Sequence, residues 1–398
     1  MNHNRYFFLL IYTLLFSNLA SAKTPPAAPP PASAIPTKTT ELSREALGQQ
    51  LFFDTRLSLR RTQSCASCHV PGNGFADPRD NGVGGAVSLG DDGLSLGDRN
   101  APTAAYASLA PPFHQREGDY IGGQFWDGRA LNLAEQAAGP PLNPIEMAMP
   151  DSAAVVARLQ ENPIYVAAFK ALYGDTVFDH PDTAYNAMAD SIAAFERTDF
   201  FAPFDSKYDR YLKGEYQPTR EEDLGMTLFF SQQFTNCNLC HQLQKRPMAA
   251  KETFTDYTYH NIGVPVNQTV RQRNRLPADF TDEGLLANPK VNDPAQRGRF
   301  KVPTLRNVAV TGPYMHNGVF KDLRTVVLFY NKYNTRSPKR QINPETGQQW
   351  QPPEVAENLS LKELETGPAL DNRRIDALVA FMKMLTDQRY EHLLEEQH

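Results

Sequence analysis

All four cysteines of this 398-residue chain sit in two copies of Cys-x-x-Cys-His, Cys65-Ala66-Ser67-Cys68-His69 and Cys237-Asn238-Leu239-Cys240-His241. Two thiols one helical turn apart can bond the two vinyl groups of a porphyrin, while the adjacent imidazole ligates the iron from one side. A zinc knuckle, a thioredoxin-like redox pair or a disulfide can use the same cysteine spacing. A zinc site has no need of a histidine directly after the second cysteine in both copies, and a redox pair has no need of two motifs. The motifs therefore predict two covalently bound c-type haems, attached through Cys65, Cys68, Cys237 and Cys240, with His69 and His241 on the irons.

The elements that position these motifs repeat as well. Leu47-Gly48-Gln49-Gln50-Leu51-Phe52-Phe53 precedes the first motif, and Leu224-Gly225-Met226-Thr227-Leu228-Phe229-Phe230 precedes the second. Apolar residues four apart share a helical face, so each repeat reads as a helix packed on a haem edge. Thr219 with Glu222 forms a capping-box start for the second. Ala184, Met188, Ile192 and Phe195 make an apolar stripe that ends the first half, and Ile375, Val379, Met382 and Leu385 make another near the C-terminus. Gly, Pro and Asn are frequent in between and period-two alternation is scarce, which predicts long loops and few strands. The expected fold class is mainly α, with two cytochrome-c-like domains, each holding one covalent haem that supplies much of its core. Residues 41–206 and 207–398 are the expected haem domains, with the boundary in the stretch 200–216.

Arg5 precedes the apolar run from Tyr6 to Phe16, and Ala20-Ser21-Ala22 offers a small-residue cleavage site, so residues 1–22 read as a secretory signal peptide. That run is too short to span a bilayer, and no other segment is long and apolar enough; a retained anchor is the alternative. Export agrees with covalent haem, which is attached outside the cytoplasm, and points to a bacterial periplasm. Residues 23–40 are proline-rich and read as an extended tether. A net charge of −5 without a long basic run gives no sign of a nucleic-acid partner.

Five further strings lie around and between the motifs in a fixed order. They are Phe53-Asp54-Thr55-Arg56-Leu57-Ser58, Arg99-Asn100-Ala101-Pro102-Thr103, Phe125-Trp126-Asp127-Gly128-Arg129-Ala130, Asn143-Pro144-Ile145-Glu146-Met147 and Val302-Pro303-Thr304-Leu305-Arg306-Asn307, the last leading to Pro313-Tyr314-Met315-His316-Asn317-Gly318. With them, the chain from about residue 44 to residue 386 resembles the bacterial di-haem cytochrome c peroxidases, and within them the MauG-like branch.

The resemblance implies that hydrogen peroxide reacts at the N-terminal haem, with His69 as its proximal ligand. Glu146 matches the carboxylate that moves a proton between the peroxide oxygens, and Gln136 matches its distal-pocket neighbour. Trp126 matches a tryptophan that bridges the haems. Asn100, Thr311 and Pro313 match a calcium site at the domain interface, where oxygen ligands suit a hard cation. One departure bears on activity. Other members carry a loop histidine before the Arg-Asn-x-Pro-Thr string that caps the first iron until the second haem is reduced. Here the stretch from Ala86 to Asp98 has none, and neither does any position from Val70 to Tyr106. An iron open without a reductive trigger is expected. His114 is the nearest substitute and is read as an ordinary loop residue.

At the second haem the matching position holds Tyr330 in place of the methionine of other members, as in the MauG-like branch. Leu323, Val327 and Tyr330 share a helical face that would turn the phenol inward. A phenolate is a hard anionic donor that lowers the potential relative to a thioether. Met315 is the rival ligand. The expected function is that of a periplasmic di-haem peroxidase, with its oxidising equivalents shared between the two haems. Its electrons would come from a small cytochrome c or copper protein, or, in a MauG-like oxidase, from Trp or Tyr side chains of a partner protein. A non-catalytic electron-transfer cytochrome is the rival class; Glu146 and Gln136 oppose it, since a relay haem needs no proton-shuttling carboxylate.

Overall fold

Two helix pairs, one in each half, set the frame in which the motifs sit. The computed structural model describes residues 43–277 and 279–395; the expected signal peptide and proline-rich tether lie outside the described residues. Ser43 starts the first helix, Arg44–Phe52, by accepting the Ala46 N–H at 3.2 Å. Arg220–Phe230 starts with a full capping box: Thr219 Oγ1 accepts the Glu222 N–H at 3.2 Å, and the Glu222 carboxylate accepts the Thr219 N–H at 2.8 Å. The first helix packs on Pro181–Glu196 and the second on Asn372–Met384.

The repeated glycine explains how closely each pair packs. A Cβ on Gly48 would overlap the Ser191 carbonyl, and a Cβ on Gly225 would overlap the Ala377 carbonyl. The aromatic neighbours repeat too. Phe52 and Phe195 meet edge-on with centroids 5.6 Å apart, and Phe229 and Phe381 lie 5.0 Å apart. Buried apolar side chains gather into two large clusters, one reaching from Leu47 to Phe201 and the other from Tyr208 to Leu385.

Regular structure among the described residues is mainly helical, with long loops between. Strand structure is confined to three short antiparallel pairs: His114–Arg116 with Asp119–Ile121, Tyr259–His260 with Phe300–Lys301, and Ile342–Asn343 with Gln348–Gln349. The two clusters are joined through buried polar groups. The Tyr106 hydroxyl donates to Asp387 at 2.5 Å, and Asn307 Nδ2 donates to the other oxygen of that carboxylate at 2.8 Å. Arg306, fully buried, pairs with Asp209 at 2.5 Å and lies over the Tyr106 ring at 5.4 Å. A paired, hydrogen-bonded charge of this kind is costly to break, since removing one partner leaves the other buried alone.

Gly48→Ala and Gly225→Ala each force a helix pair apart, and overpacking of this kind costs about 1–3 kcal/mol. Chemical denaturation should show a lowered midpoint for both variants, while an exposed change such as Gly72→Ala, where a Cβ meets nothing within 4 Å, leaves it unchanged.

Candidate functional site

The first attachment motif forms a short helix, Cys65–Cys68, and the second a single turn, Cys237–Leu239. No disulfide joins any of the four cysteines. Each histidine has one ring nitrogen committed: His69 Nδ1 lies 3.2 Å from the Phe75 carbonyl, and His241 Nδ1 lies 3.1 Å from the Phe254 carbonyl. Such a bond sets the tautomer and leaves Nε2 free as a metal ligand. Burial lowers the proton affinity of both rings, that of His241 to about 4, against the opposing pull of the carbonyls. Neutral imidazole is the form that binds a metal.

Each motif opens onto a cavity. The first, about 510 Å³, is lined by Cys65, Cys68, His69, Trp126, Gln136 and Glu146. The second, about 210 Å³, is lined by Cys237, Cys240, His241, Trp126, Met315 and Tyr330. Two thiols, one oriented imidazole and a largely apolar wall are the donor set and surroundings of a c-type haem, so the residues of both cavities fit that group. Trp126 lines both cavities, and its indole N–H donates to the Asn100 carbonyl at 2.8 Å.

Glu146 sits in the first cavity with Oε1 accepting from Asn143 Nδ2 at 2.7 Å. Burial raises its pKa; Arg129 and the Asn143 hydrogen bond act in the opposite direction. Its carbonyl accepts the Asp91 N–H at 2.7 Å, and this ties it to the 86–98 loop. Asp91 in turn accepts from Ser58 at 2.7 Å and Thr62 at 2.6 Å. Burial would raise the Asp91 carboxyl, but these hydrogen bonds outweigh it and hold the group ionised. Among the described residues, His69 is the one histidine lining this cavity. His114 lies on an exposed strand, with Nδ1 2.8 Å from the Pro112 carbonyl, and lines neither cavity.

Tyr330 reaches the second cavity from Leu323–Asn331, alongside Leu323 and Val327. Burial, followed by Cys240 and Cys237, pushes its phenol well above the ordinary value. Met315 lines the same cavity from a left-handed turn, φ +74°, that matches Phe125 at φ +63° in the first half. Asn100 lines the first cavity; Thr311 and Pro313 line neither. Asn100 Nδ2 donates to the Ala86 carbonyl at 3.0 Å, and its Oδ1 accepts no hydrogen bond among the described residues.

Residues 43–217 match the di-haem cytochrome c peroxidase family model. The methylamine utilization protein MauG of Paracoccus denitrificans is 59% identical over 352 residues, covering 88% of this chain and 90% of that protein. The chain belongs to the di-haem cytochrome c peroxidase family. The cytochrome c peroxidase Ccp of Escherichia coli is 34% identical over 75% of this chain and 55% of that protein. Among solved structures, the diheme peroxidase BthA of Burkholderia thailandensis superposes with a TM-score of 0.75 at 32% identity, covering 87% of this chain and 86% of that one. The protein is thus an oxidoreductase of a di-haem family, and no helix among its described residues is long and apolar enough to cross a membrane.

Sequence reasoning missed two contributors to the first cavity. Asn143 holds Glu146, and only contact geometry reveals it. Glu196, buried in the same wall, was legible in part, since it lies four residues after Ile192 on the apolar stripe. The cavities predict a simple stoichiometry. The intact mass of the protein should exceed that of its polypeptide by two haems, and that of a Cys65→Ala/Cys68→Ala variant by one.

Proposed function

We propose that this protein reduces hydrogen peroxide in the first cavity and draws the electrons, by way of the second, from Trp or Tyr side chains of a partner protein. The observation that carries the peroxide step is the pairing of His69 with Glu146 around one cavity in which no second histidine appears among the described residues. The haem supplies an iron that can break the O–O bond and store oxidising equivalents. His69 would hold it through Nε2, its ring fixed by the Phe75 carbonyl. Glu146 takes the proton from one peroxide oxygen and returns it to the other. Its raised pKa suits both roles, because a carboxyl poised nearer neutral pH gives up and regains a proton readily. Asn143 fixes the oxygen it bonds, and Gln136, from the helix Leu133–Ala137, supplies a further hydrogen-bonding group on the cavity wall.

Tyr330 and Trp126 support the route through the second cavity. The Tyr330 hydroxyl has no hydrogen-bond partner among the described residues, which suits a group whose partner is an iron. Met315, by contrast, owes its place to the repeat, since its counterpart Phe125 has no ligand atom. The phenol is neutral in the chain alone, but a cation inside the cavity favours phenolate. Trp126 puts one indole in the wall of both cavities, a short path for an electron. Asn100, Thr311 and Pro313 complete the proposal as calcium ligands near this path, with Asn100 Oδ1 uncommitted. A bacterial periplasm is the proposed location.

The protein-partner variant is preferred because the 59% identical relative is a methylamine utilization protein MauG and because Tyr330 fits the ligand position of that branch. The second variant, simple detoxification with a small cytochrome c or copper protein as donor, is favoured by the likeness to cytochrome c peroxidases. Mixing the oxidised protein with peroxide and no donor separates them. A long-lived near-infrared band spread over both haems supports the first variant, and rapid decay with brisk turnover of reduced cytochrome c supports the second. Glu146→Gln should slow the peroxide reaction by roughly 100- to 10,000-fold with both haems retained; an unchanged rate would remove Glu146 from the chemistry.

A further inference from the structure

Glu196 ends the helix Pro181–Glu196 in the wall of the first cavity. It is 5% exposed, and its Oε2 has no hydrogen-bond partner among the described residues. Burying an unpartnered carboxyl costs stability, and the repeat shows that the fold does not require one here. Gly48 meets Ser191 and Phe195 as Gly225 meets Ala377 and Phe381. Continuing along the matched helices, Ile192 aligns with Leu378 and Glu196 with Met382, and each residue lines the cavity of its own half. The second half fills the position with a buried thioether. The first half places an acid on the same backbone.

The surroundings keep that acid un-ionised at neutral pH. Burial pushes the carboxyl up to about 8, and Arg197 on its own helix pulls the other way. Arg44–Phe52, packed across it, buries Leu47, Gly48, Leu51 and Phe52, none of them titratable. The attachment motif contributes the Cys65 thiol, which a haem would consume. Elsewhere on the cavity wall are Glu146, itself raised by burial, with Arg129 acting on it, and the uncharged Gln136.

Peroxide reduction consumes protons: one peroxide, two protons and two electrons give two waters. Glu146 returns to one oxygen the proton it removed from the other, so it contributes none of the net two. We infer that Glu196 is the proton reserve of the first cavity, a second carboxyl that releases its proton as peroxide becomes water and regains one from solvent between turnovers. In that step the Glu196 O–H bond breaks and an O–H bond of product water forms. The second proton comes from solvent, and the electrons come from the oxidised partner or donor. Gln63 Oε1 is a further buried atom without a hydrogen-bond partner among the described residues on the same wall, and it marks a polar place where water can carry the proton. The inference rests on the peroxide chemistry proposed above.

The test uses Glu196→Gln and Glu196→Met proteins with both haems attached; the second variant installs the residue that the other half already accommodates. Infrared difference spectra of the wild type should lose one protonated-carboxyl band as the pH rises through about 8, and both variants should lack that band. Rapid mixing with peroxide should be about 100-fold slower in both variants, in line with the loss of an acid–base group. A wild type without the band, or a Glu196→Met protein that matches the wild-type rate, overturns the inference. Wild-type protein inert to peroxide overturns the proposed function and this inference together, whereas a normal wild type with an unaffected variant overturns this inference alone.

Discussion

One hydrogen bond in each half organises the chemistry: a histidine Nδ1 held by a backbone carbonyl, from Phe75 in the first half and from Phe254 in the second. A buried imidazole could otherwise rotate or change tautomer. Tied in this way it offers Nε2 alone, and burial keeps the ring neutral. The two carbonyls belong to aromatic residues that are themselves fixed, Phe75 stacked on Phe201 at 4.4 Å and Phe254 against Phe229 at 5.7 Å. Core packing is thereby transmitted directly to the orientation of a ligand.

On this repeated frame, function is carried by the places where the halves differ. The glycine-mediated helix contacts, the capped starts and the committed histidines are shared. Only the first cavity contains Glu146 and Glu196, and only the second contains Tyr330. Trp126 and His316 occupy matching turns, closed by the Gln124–Ala130 and Tyr314–Phe320 bridges. The indole lies in the wall of both cavities. His316 instead stacks on Phe300 at 3.6 Å, and burial lowers its pKa to about 3. The duplicated scaffold thus carries the carboxyls of Glu146 and Glu196 on one side and the phenol of Tyr330 on the other.

How much of this was legible in the sequence depended on the range of the constraint. Covalent attachment demands fixed residue types at fixed spacing, so the Cys-x-x-Cys-His motifs could be read without any structure. Helix faces obey a short period, so Leu47, Leu51, Ile192 and Phe195 announced themselves. Contacts between distant residues left no such mark. Arg306 and Asp209 are 97 positions apart, and Tyr106, which bonds Asp387 281 positions away and lies under Arg306, joins the two cores. In sequence Glu196 is a charged helix end beside Arg197, and only the packed cavity reveals that its Oε2 has no hydrogen-bond partner among the described residues. The cavity positions of Trp126, Gln136 and Tyr330 rested on resemblance to a family, since single side chains in loops and short helices carry little periodic signal.

The central claim is that the iron held by His69 carries no second protein ligand when the protein is oxidised and at rest. Low-temperature electron paramagnetic resonance of that state tests it most directly. The account predicts one high-spin ferric signal from the first haem beside one low-spin signal from the second. Two low-spin signals, with the high-spin component absent, would contradict it.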